Sequence, residues 1–422
     1  MKAIIQFVGK LAFAIILFLL LFSFAMFQGG FVSWFLFFGF LPIFLYHLGL
    51  LLYPIQKWKV TRELSRRVIR AGDRVSVTIR IKRSTPFPLY YCIFEEVFPD
   101  TLQEVGGAPE RYSDLDRPDK RHVNRTIKKI IFPGFRRTIK LPYVIEQVPR
   151  GEHKLTSIRI RTGDMFGMVT KEHVFQTADR LTAFPNERPV RIPENTTRVE
   201  QEAVPSQAMS AKNTNVAAGI REYTPGDKFS WIDWKQTAKK NTLITKEFEQ
   251  EKRTDTVIVL DACRYQGMNE LAFEAAVELT LSLLGVIRKQ TSQAGFLSVG
   301  EQAAYFPLTQ DPLNQDWINR YLTRLHPGGN VSSPVRLREE IMQLPSSAVM
   351  ILVTTHMDSS FPEMIRQTGR RMKKIAVVLI QGSSWLTHDV QMIIRQLRLE
   401  GVTVNVQTEN ELSQKTIEVM MT

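Results

Sequence analysis

Two long apolar runs open the chain. Residues 11–27 carry no charged side chain, and residues 31–53 carry no Asp, Glu, Lys or Arg and a single histidine, His47. Each run is close to the ~20 residues that a helix needs to span a bilayer. Gln28, Gly29 and Gly30 alone separate the two runs. The pattern therefore predicts a transmembrane helical hairpin over residues 1–53, with helices at about 11–27 and 31–53.

A cleaved signal peptide is the competing interpretation of the first run, because Lys2 and Lys10 precede it and Ser23-Phe24-Ala25 has small residues at its ends. The run is longer than the ~7–15 apolar residues of a signal peptide. A second apolar run also follows at once, so we favour the hairpin. Between positions 57 and 70, six basic residues stand against one acidic residue, Glu63. The positive-inside rule then predicts a multi-pass protein of the cell membrane with both termini and the soluble body in the cytoplasm.

Residues 54–192 change to a period of two. The stretch from Val75 to Lys82 alternates apolar and polar side chains and is rich in β-branched residues, which is typical of a half-buried strand. Shorter runs of the same kind recur at 127–132, 138–144 and 157–161. We expect an antiparallel β-sandwich here.

The positive charge of the chain is concentrated in this predicted sandwich. The net charge of +13 is by itself compatible with nucleic acid, an anionic membrane surface or an acidic protein as partner. Residues 54–192 hold 28 Lys and Arg against 16 Asp and Glu, a net of +12. Because this domain is tethered next to the inner leaflet, we expect contact with anionic inner-leaflet lipids rather than with nucleic acid.

Residues 193–254 form a connector that leads into the most distinctive motif of the chain. The motif runs from Gly219 to Asp227 and continues from Trp231 to Lys239. Its Pro225-Gly226 pair suits a turn. Trp and Arg dominate the hot spots of protein interfaces, so the motif is a candidate partner-binding site. The structural alternative is that one tryptophan lies in a core and that Arg221 pairs with Asp227 or Asp233 to fix the loop.

At these residues the chain resembles the bacterial family called domain of unknown function 58. The resemblance rests on an R-x-Y-x-P-G-D stretch that continues into I-D-W-K, and on earlier R-G and D-x-F-G elements at Arg150-Gly151 and 164–167. The residues that carry the central motif, as a partner-binding or structural site, are Arg221, Tyr223, Pro225, Gly226, Asp227, Asp233, Trp234 and Lys235. The resemblance implies a MoxR-type AAA+ ATPase and a transglutaminase-like membrane protein as partners.

Residues 255–422 alternate between short apolar runs and helical patterns. Strands are predicted at 256–261, 294–299, 349–354, 375–380 and 402–406, and helices at 270–288, 312–325, 361–371 and 389–399. Such alternation predicts a doubly wound α/β sheet. The whole chain is therefore expected to be a multi-domain α+β protein.

The family resemblance implies that this last domain is von Willebrand factor A-like, a fold that often binds Mg²⁺ through a D-x-S-x-S sequence. Here the corresponding positions are Asp261, Cys263 and Tyr265. Hard cations favour carboxylate, hydroxyl and water oxygens, and a thiol and a bulky phenol replace both hydroxyls. We therefore expect a degenerate metal site, with Asp261 as the one candidate ligand and no cofactor.

These observations favour a non-enzymatic interaction or scaffold protein that works with an ATPase in the assembly or maturation of membrane or envelope complexes. The chain has no G-x-x-x-x-G-K-[ST] loop of its own. Its two cysteines, Cys92 and Cys263, exclude a disulfide scaffold. Two alternatives stay open: an envelope-related enzyme that uses Asp227, Asp233 and Asp261, and a nucleic-acid-binding protein that uses the basic β domain.

Overall fold

A computed structural model describes residues 2–103, 109–116, 125–165, 167–193, 217–224, 229–248, 256–290, 294–307, 312–329, 333–344, 346 and 348–421.

The N-terminal part of the molecule consists of two helices that pack against each other. Helix α1 covers Lys2–Gln28 and helix α2 covers Phe31–Leu52, with Gly29 and Gly30 at positive φ between them. The Phe18 and Phe37 rings lie 5.6 Å apart across the pair.

Only α2 among the described residues is long and apolar enough to cross a membrane, on length and composition. The apolar stretch described in α1 is shorter, at Ile15–Gln28. Helix α1 begins at Lys2 rather than at the predicted residue 11, because the segment before the apolar run is also helical although it contains Lys2 and Lys10. The structure thus contains one candidate membrane-spanning helix near the N-terminus.

The next domain consists of two sheets around one hydrophobic core. Its strands are β1 (Lys59–Leu64), β2 (Val68–Arg70), β3 (Val75–Lys82), β4 (Tyr91–Val97), β5 (Ile127–Ile131), β6 (Thr138–Ile145), β7 (Gly151–Gly163) and β8 (Thr170–Phe184). A short strand that belongs to neither sheet, β9 (Val190–Arg191), follows them. One sheet has the order β1-β3-β6 and the other the order β2-β8-β7-β4-β5. All of these pairs are antiparallel except β2 with β8.

Alternating burial explains why these segments form strands. In β3 every second side chain is buried, from Val75 to Ile81, which is the period-two pattern of a strand with one face in the core. Phe94 of β4 and Ile158 of β7 belong to the same core from the opposite sheet. The two sheets therefore share one interior.

The C-terminal domain is built on a six-stranded sheet with helices on both faces. Its strands are β12 (Thr256–Asp261), β13 (Ala294–Val299), β14 (Ala304–Phe306), β15 (Val349–Thr354), β16 (Lys374–Ile380) and β17 (Thr403–Gln407), in the order β14-β13-β12-β15-β16-β17. Its helices are α4 (Glu270–Gln290), α5 (Pro312–Arg324), α6 (Ser333–Ile341), α7 (Phe361–Gly369), α8 (His388–Leu399) and α9 (Glu409–Leu412). All strand pairs are parallel except β13 with β14.

Strands β12 and β15 are parallel neighbours at the centre of the sheet. The chain adds β13 and β14 on one side of this pair and β16 and β17 on the other, so the direction of the strand order reverses between β12 and β15. Ligands of open α/β sheets bind at the carboxyl ends of such a pair of strands. Asp261 ends β12 and Thr354 ends β15. A ligand-binding site of this domain is therefore expected at the edge formed by Asp261 and Thr354.

The connector contains regular structure that the pattern did not predict. Strand β10 (Ala217–Glu222) pairs antiparallel with β11 (Ile244–Phe248), and helix α3 (Trp234–Lys240) lies between them in the chain. Near the end of the chain, β18 (Ile417–Glu418) pairs in parallel with β9. The last strand of the chain is thus joined to the segment that leaves the β domain.

Candidate partner-binding site

The central module, defined here as residues 217–224 and 229–248, is a hairpin of β10 and β11 with a helical insert. Arg221 lies opposite Thr245 in the antiparallel register. The side chains of Ile232 and Ile244 are buried, and Asp233 N–H donates to the Ile244 carbonyl at 2.9 Å. Its elements pack mainly on one another among the described residues. The module is therefore a small unit with its own minimal core.

Asp233 has a structural role at the start of α3. Its Oδ1 accepts hydrogen bonds from the backbone N–H groups of Lys235 and Gln236, both at 3.1 Å. A carboxylate at this position satisfies N–H groups that have no partner inside the helix. The cap fixes the first turn of α3, and with it the positions of Trp234 and Lys235.

The outer surface of the module is aromatic and basic. Trp234 is 66% exposed and Phe229 is 74% exposed, and the Phe229 ring stacks on Tyr223 with centroids 6.1 Å apart. Arg221 is exposed and donates to Thr224 Oγ1 at 2.9 Å. The exposed cations that follow Trp234 on α3 are Lys235, Lys239 and Lys240. Exposed tryptophan beside exposed cations is a surface suited to a partner with acidic groups.

Sequence reasoning named part of this surface and missed part of it. Pro225, Gly226 and Asp227 lie outside the described residues. Trp234 stands at the surface rather than in a core, so the core interpretation does not hold for it. Phe229 was missed, although it stands two positions before Trp231 and belongs to the same aromatic-rich stretch.

The carboxyl edge of the α/β sheet holds Asp261 in a closed network. Its Oδ2 accepts a hydrogen bond from the Thr354 hydroxyl at 2.8 Å, and its Oδ1 accepts one from Cys263 N–H at 3.1 Å. The carboxylate is buried. Thr354 Oγ1 also lies 2.9 Å from the His356 carbonyl. The network ties the end of β12 to the end of β15.

Cys263 and Tyr265, which follow Asp261 in the chain, have contacts of their own at this edge. The Cys263 side chain is buried and its Sγ lies 3.6 Å from the Val299 carbonyl. The Tyr265 ring stacks on His356 with centroids 4.4 Å apart. Among the described residues, no group of three or more His, Cys, Asp or Glu side chains could hold a metal ion. The edge therefore holds a buried carboxylate and a stacked pair of aromatic rings.

The two short elements upstream of the motif are joints between parts of the molecule. Arg150 of the R-G element is buried and reaches from the β domain to Glu274 of α4, with Nε and Nη2 at 2.9 and 2.6 Å from its two oxygens. Asp164 of the D-x-F-G element lies 3.1 Å from Nε2 of His47 in α2. Phe166 of that element lies outside the described residues. Each element therefore connects the β domain to a neighbouring part of the chain.

A second polar network strengthens the joint between the β and α/β domains. The Tyr112 hydroxyl donates to Glu278 of α4 at 2.8 Å, and Arg188 Nε lies 3.5 Å from the other Glu278 oxygen. Arg188 also donates to the carbonyls of Leu412 and Gln414. Burial raises the pKa of the Glu278 carboxyl to about 7. The two domains are thus held together by a buried hydrogen bond and a buried ion pair to the same carboxyl group.

A third contact closes the joint near the carboxyl edge of the sheet. Asp116 accepts hydrogen bonds from the Ser384 backbone and from the hydroxyls of Ser383 and Ser384, at 2.9 to 3.0 Å. Burial opposes ionisation of this carboxyl, but these hydrogen bonds outweigh it and lower its pKa. The β domain and the α/β domain therefore meet at several separated points.

Comparison with known proteins defines the family. The chain matches the family described as "Protein of unknown function DUF58" over residues 219–411. It is 32% identical over 359 residues to "Uncharacterized protein YeaD" of Bacillus subtilis (strain 168), across 84% of each protein. The chain belongs to this family. Its matched region begins at the central module and includes most of the α/β domain.

Among solved structures, the chain is similar to Spo0M, a sporulation control protein from Bacillus subtilis. The likeness has a TM-score of 0.14 and 12% identity, and it covers 30% of this chain. It spans about half of the solved chain, 49% of its length. A likeness of this size carries no argument about function.

Proposed function

We propose that the protein is a non-enzymatic, membrane-anchored interaction protein that binds a partner through the central module. The observation that carries this proposal is the surface of that module, on which Trp234, Phe229 and four Arg and Lys side chains are exposed. Large exposed aromatic side chains lose favourable burial unless another surface covers them.

The membrane anchor of this proposal is the hairpin of α1 and α2. Helix α2 has the length and composition of a spanning helix, and Gly29 and Gly30 allow the tight turn after α1. The basic residues that follow α2 favour a cytoplasmic body. Anionic lipids of the inner leaflet would then face the +12 charge of residues 54–192.

The α/β domain is proposed to be von Willebrand factor A-like and to act without a metal. Its order of strands and its single antiparallel edge strand support this assignment. The oxygens of Asp261 already accept hydrogen bonds from Thr354 and Cys263. A metal ion would have to displace these bonds.

The partner that family resemblance suggests is a MoxR-type AAA+ ATPase, acting with a transglutaminase-like membrane protein. The ATPase would supply energy for the assembly or maturation of membrane or envelope complexes. An acidic surface on the ATPase fits the basic module by charge. Two of the carboxylates that the competing enzyme hypothesis requires have structural roles, which weakens that hypothesis. Asp233 caps α3, and Asp261 is buried and hydrogen-bonded.

Binding of the purified full chain in nanodiscs to a purified MoxR-type ATPase tests this proposal. We expect Trp234→Ala to weaken binding by about tenfold or more, the effect of a hot-spot residue. Trp317→Ala is the matched control, because Trp317 is also an exposed tryptophan, 60% exposed on α5. Absence of binding, or equal loss in both variants, would reject the proposed site.

A further inference from the structure

The end of α2 is a part of the β domain. Leu50 and Leu51 lie in the hydrophobic core of that domain. A Cβ atom on Gly49 would lie 2.8 Å from the Phe87 ring, so the helix touches the domain closely. Lys171 Nζ donates to the carbonyls of Leu51 and Tyr53 at 2.5 and 2.7 Å. The β domain is therefore fixed rigidly to α2 and cannot hang from it on a flexible linker.

Loops of the β domain also extend beside α2, well before its end. On one side, Tyr90, Phe132 and Met165 line a groove together with Pro42 and His47 of α2. On the other side, Met168 lines a groove with residues of both helices. The hydrogen bond from His47 to Asp164 lies between these grooves. The loops thus surround the last turns of the helix on two sides.

The length of α2 sets the depth of these loops. Pro42 precedes the helix end at Leu52 by ~15 Å, at 1.5 Å per residue. The part of α2 that lines neither groove, residues 31–39, is ~14 Å long, less than half of the ~30 Å hydrocarbon core of a bilayer. The whole of α2 measures ~33 Å and matches that core. If α2 crosses the membrane, the loops beside its last three turns must enter the bilayer.

The tips of these loops carry side chains that are suited to contact with lipid. Phe132, Phe135 and Met165 are 66%, 69% and 68% exposed, and Tyr90 and Met168 are about half exposed. Two exposed bases, Arg136 and Arg137, follow Phe135 in the chain. Aromatic and aliphatic tips beside basic residues are typical of surfaces that lie in the interface of an anionic membrane.

A buried arginine holds one of the tips in shape. Arg83 is 2% exposed and donates to the carbonyls of Arg136, Phe87 and Gly134, at 2.6, 2.9 and 2.8 Å. These bonds fix the turn that carries Phe135 before any contact with lipid. A preorganised tip loses little conformational entropy when it binds.

We propose that Tyr90, Phe132, Phe135, Met165 and Met168 form a collar around α2 that is immersed in the cytoplasmic leaflet and reaches below its headgroups. This inference rests on the proposed membrane anchoring and adds to it the depth and orientation of the β domain. The occupant of the collar surface is the lipid bilayer. The basic flank of the collar contacts anionic headgroups.

Fluorescence quenching by spin-labelled lipids tests the collar in the full chain. The protein is reconstituted into vesicles of zwitterionic and anionic phospholipids, with an environment-sensitive fluorophore at Phe135→Cys or Met165→Cys. Both native cysteines, Cys92 and Cys263, are buried, so the new surface cysteine is labelled selectively. Lys154→Cys is the control, because it is exposed and lies ~30 Å before Gly163 along the same strand, β7. Phe38→Cys on the exposed face of α2 reports the anchor itself.

We expect quenching at Phe135→Cys and Met165→Cys to exceed that at Lys154→Cys several-fold, with strong quenching at Phe38→Cys. If Phe38→Cys is quenched and both collar positions behave like Lys154→Cys, the collar is wrong and the anchor stands. If Phe38→Cys itself escapes quenching, the membrane anchoring fails and the collar fails with it.

Discussion

The joint between the two large domains and the central module use the same kinds of side chain in opposite ways. In the joint, Arg150 and Arg188 are buried and donate to carboxylates and carbonyls of the α/β domain. In the module, Arg221 and Trp234 stand at the surface. The type of a motif residue therefore does not show by itself whether that residue stabilises the fold or binds another molecule. Its burial and its partners separate a residue that holds the fold from one that is available to another molecule.

The comparison also predicts how each of the two regions responds to substitution. Buried ion pairs add little net stability when formed, but removal of one partner leaves the other in an unfavourable place. The joint is therefore sensitive to substitution although it is polar. The central module should tolerate substitution of its exposed side chains, because water can solvate the polar groups that remain after each substitution. The following predictions test this difference, starting with the largest effect.

Arg150→Met should be the most destabilising of these substitutions. It removes the two hydrogen bonds to Glu274 and leaves that carboxylate at the joint without its cation. We expect a loss of about 3 kcal/mol in the free energy of unfolding, the order found when a buried pair loses one member. Denaturant unfolding of the full chain in detergent, followed by circular dichroism, measures it. Arg324→Met is the control, since the ion pair of Arg324 with Glu152 is exposed and is worth less than about 1 kcal/mol.

Asp261→Ala should cost less, about 2 kcal/mol, because it removes a charged acceptor from Thr354 and Cys263 N–H. The same unfolding measurement applies. Added Mg²⁺ should not raise the unfolding midpoint of the wild-type chain. A rise that Asp261→Ala abolishes would contradict the structural role assigned here and would restore a metal site.

The pH dependence of stability tests the buried carboxyl in the joint. Burial raises the pKa of Glu278 to about 7 from the ordinary value of 4.5, so the folded state binds a proton more tightly than the unfolded state. Between these two values the folded carboxyl keeps a proton that the unfolded one has lost. Its contribution to stability is therefore present at low pH and is lost as the pH rises to about 7.

Glu278→Gln cannot ionise, so it should remove this part of the dependence and flatten the fall in stability between about pH 5 and pH 7. Thermal unfolding across that range, compared with the exposed-site control Glu339→Gln, isolates the effect. An unchanged slope in Glu278→Gln would show that this carboxyl is not the titrating group.

Trp234→Ala should have the smallest effect on stability, within about 0.5 kcal/mol, because the side chain is largely exposed. Its unfolding midpoint should match that of Trp317→Ala. A large loss of stability would place Trp234 in the core of the module and would remove the basis of the proposed site.

Local patterns predicted the parallel sheet well and the connections poorly. Strand β12 was recognised at 256–261 because five consecutive apolar or β-branched positions, 256–260, followed by Asp261 fit a strand buried on both faces. The strands β10 and β11 were missed because their pairing depends on residues that lie far apart in the chain. Short elements such as β14 and α6 were missed as well, since few residues carry their pattern.

The functional residues divide in the same way. The motif around Trp234 was recognisable as a unit, but its exposure depends on what the rest of the fold leaves uncovered. His47 and Asp164 lie 117 positions apart, and neither local pattern contains the other. The contact between α2 and the β domain, and the collar inferred from it, therefore required the fold.

Site-specific photo-crosslinking in native membranes tests the central claim most directly. A photoreactive phenylalanine analogue replaces Trp234 in one full-length chain and Trp317 in another, and adducts to a tagged MoxR-type ATPase are detected after irradiation. The exposed module predicts a strong adduct from position 234 and none from position 317. No adduct at position 234, or equal adducts at both positions, would contradict the assignment of the central module as the partner-binding site.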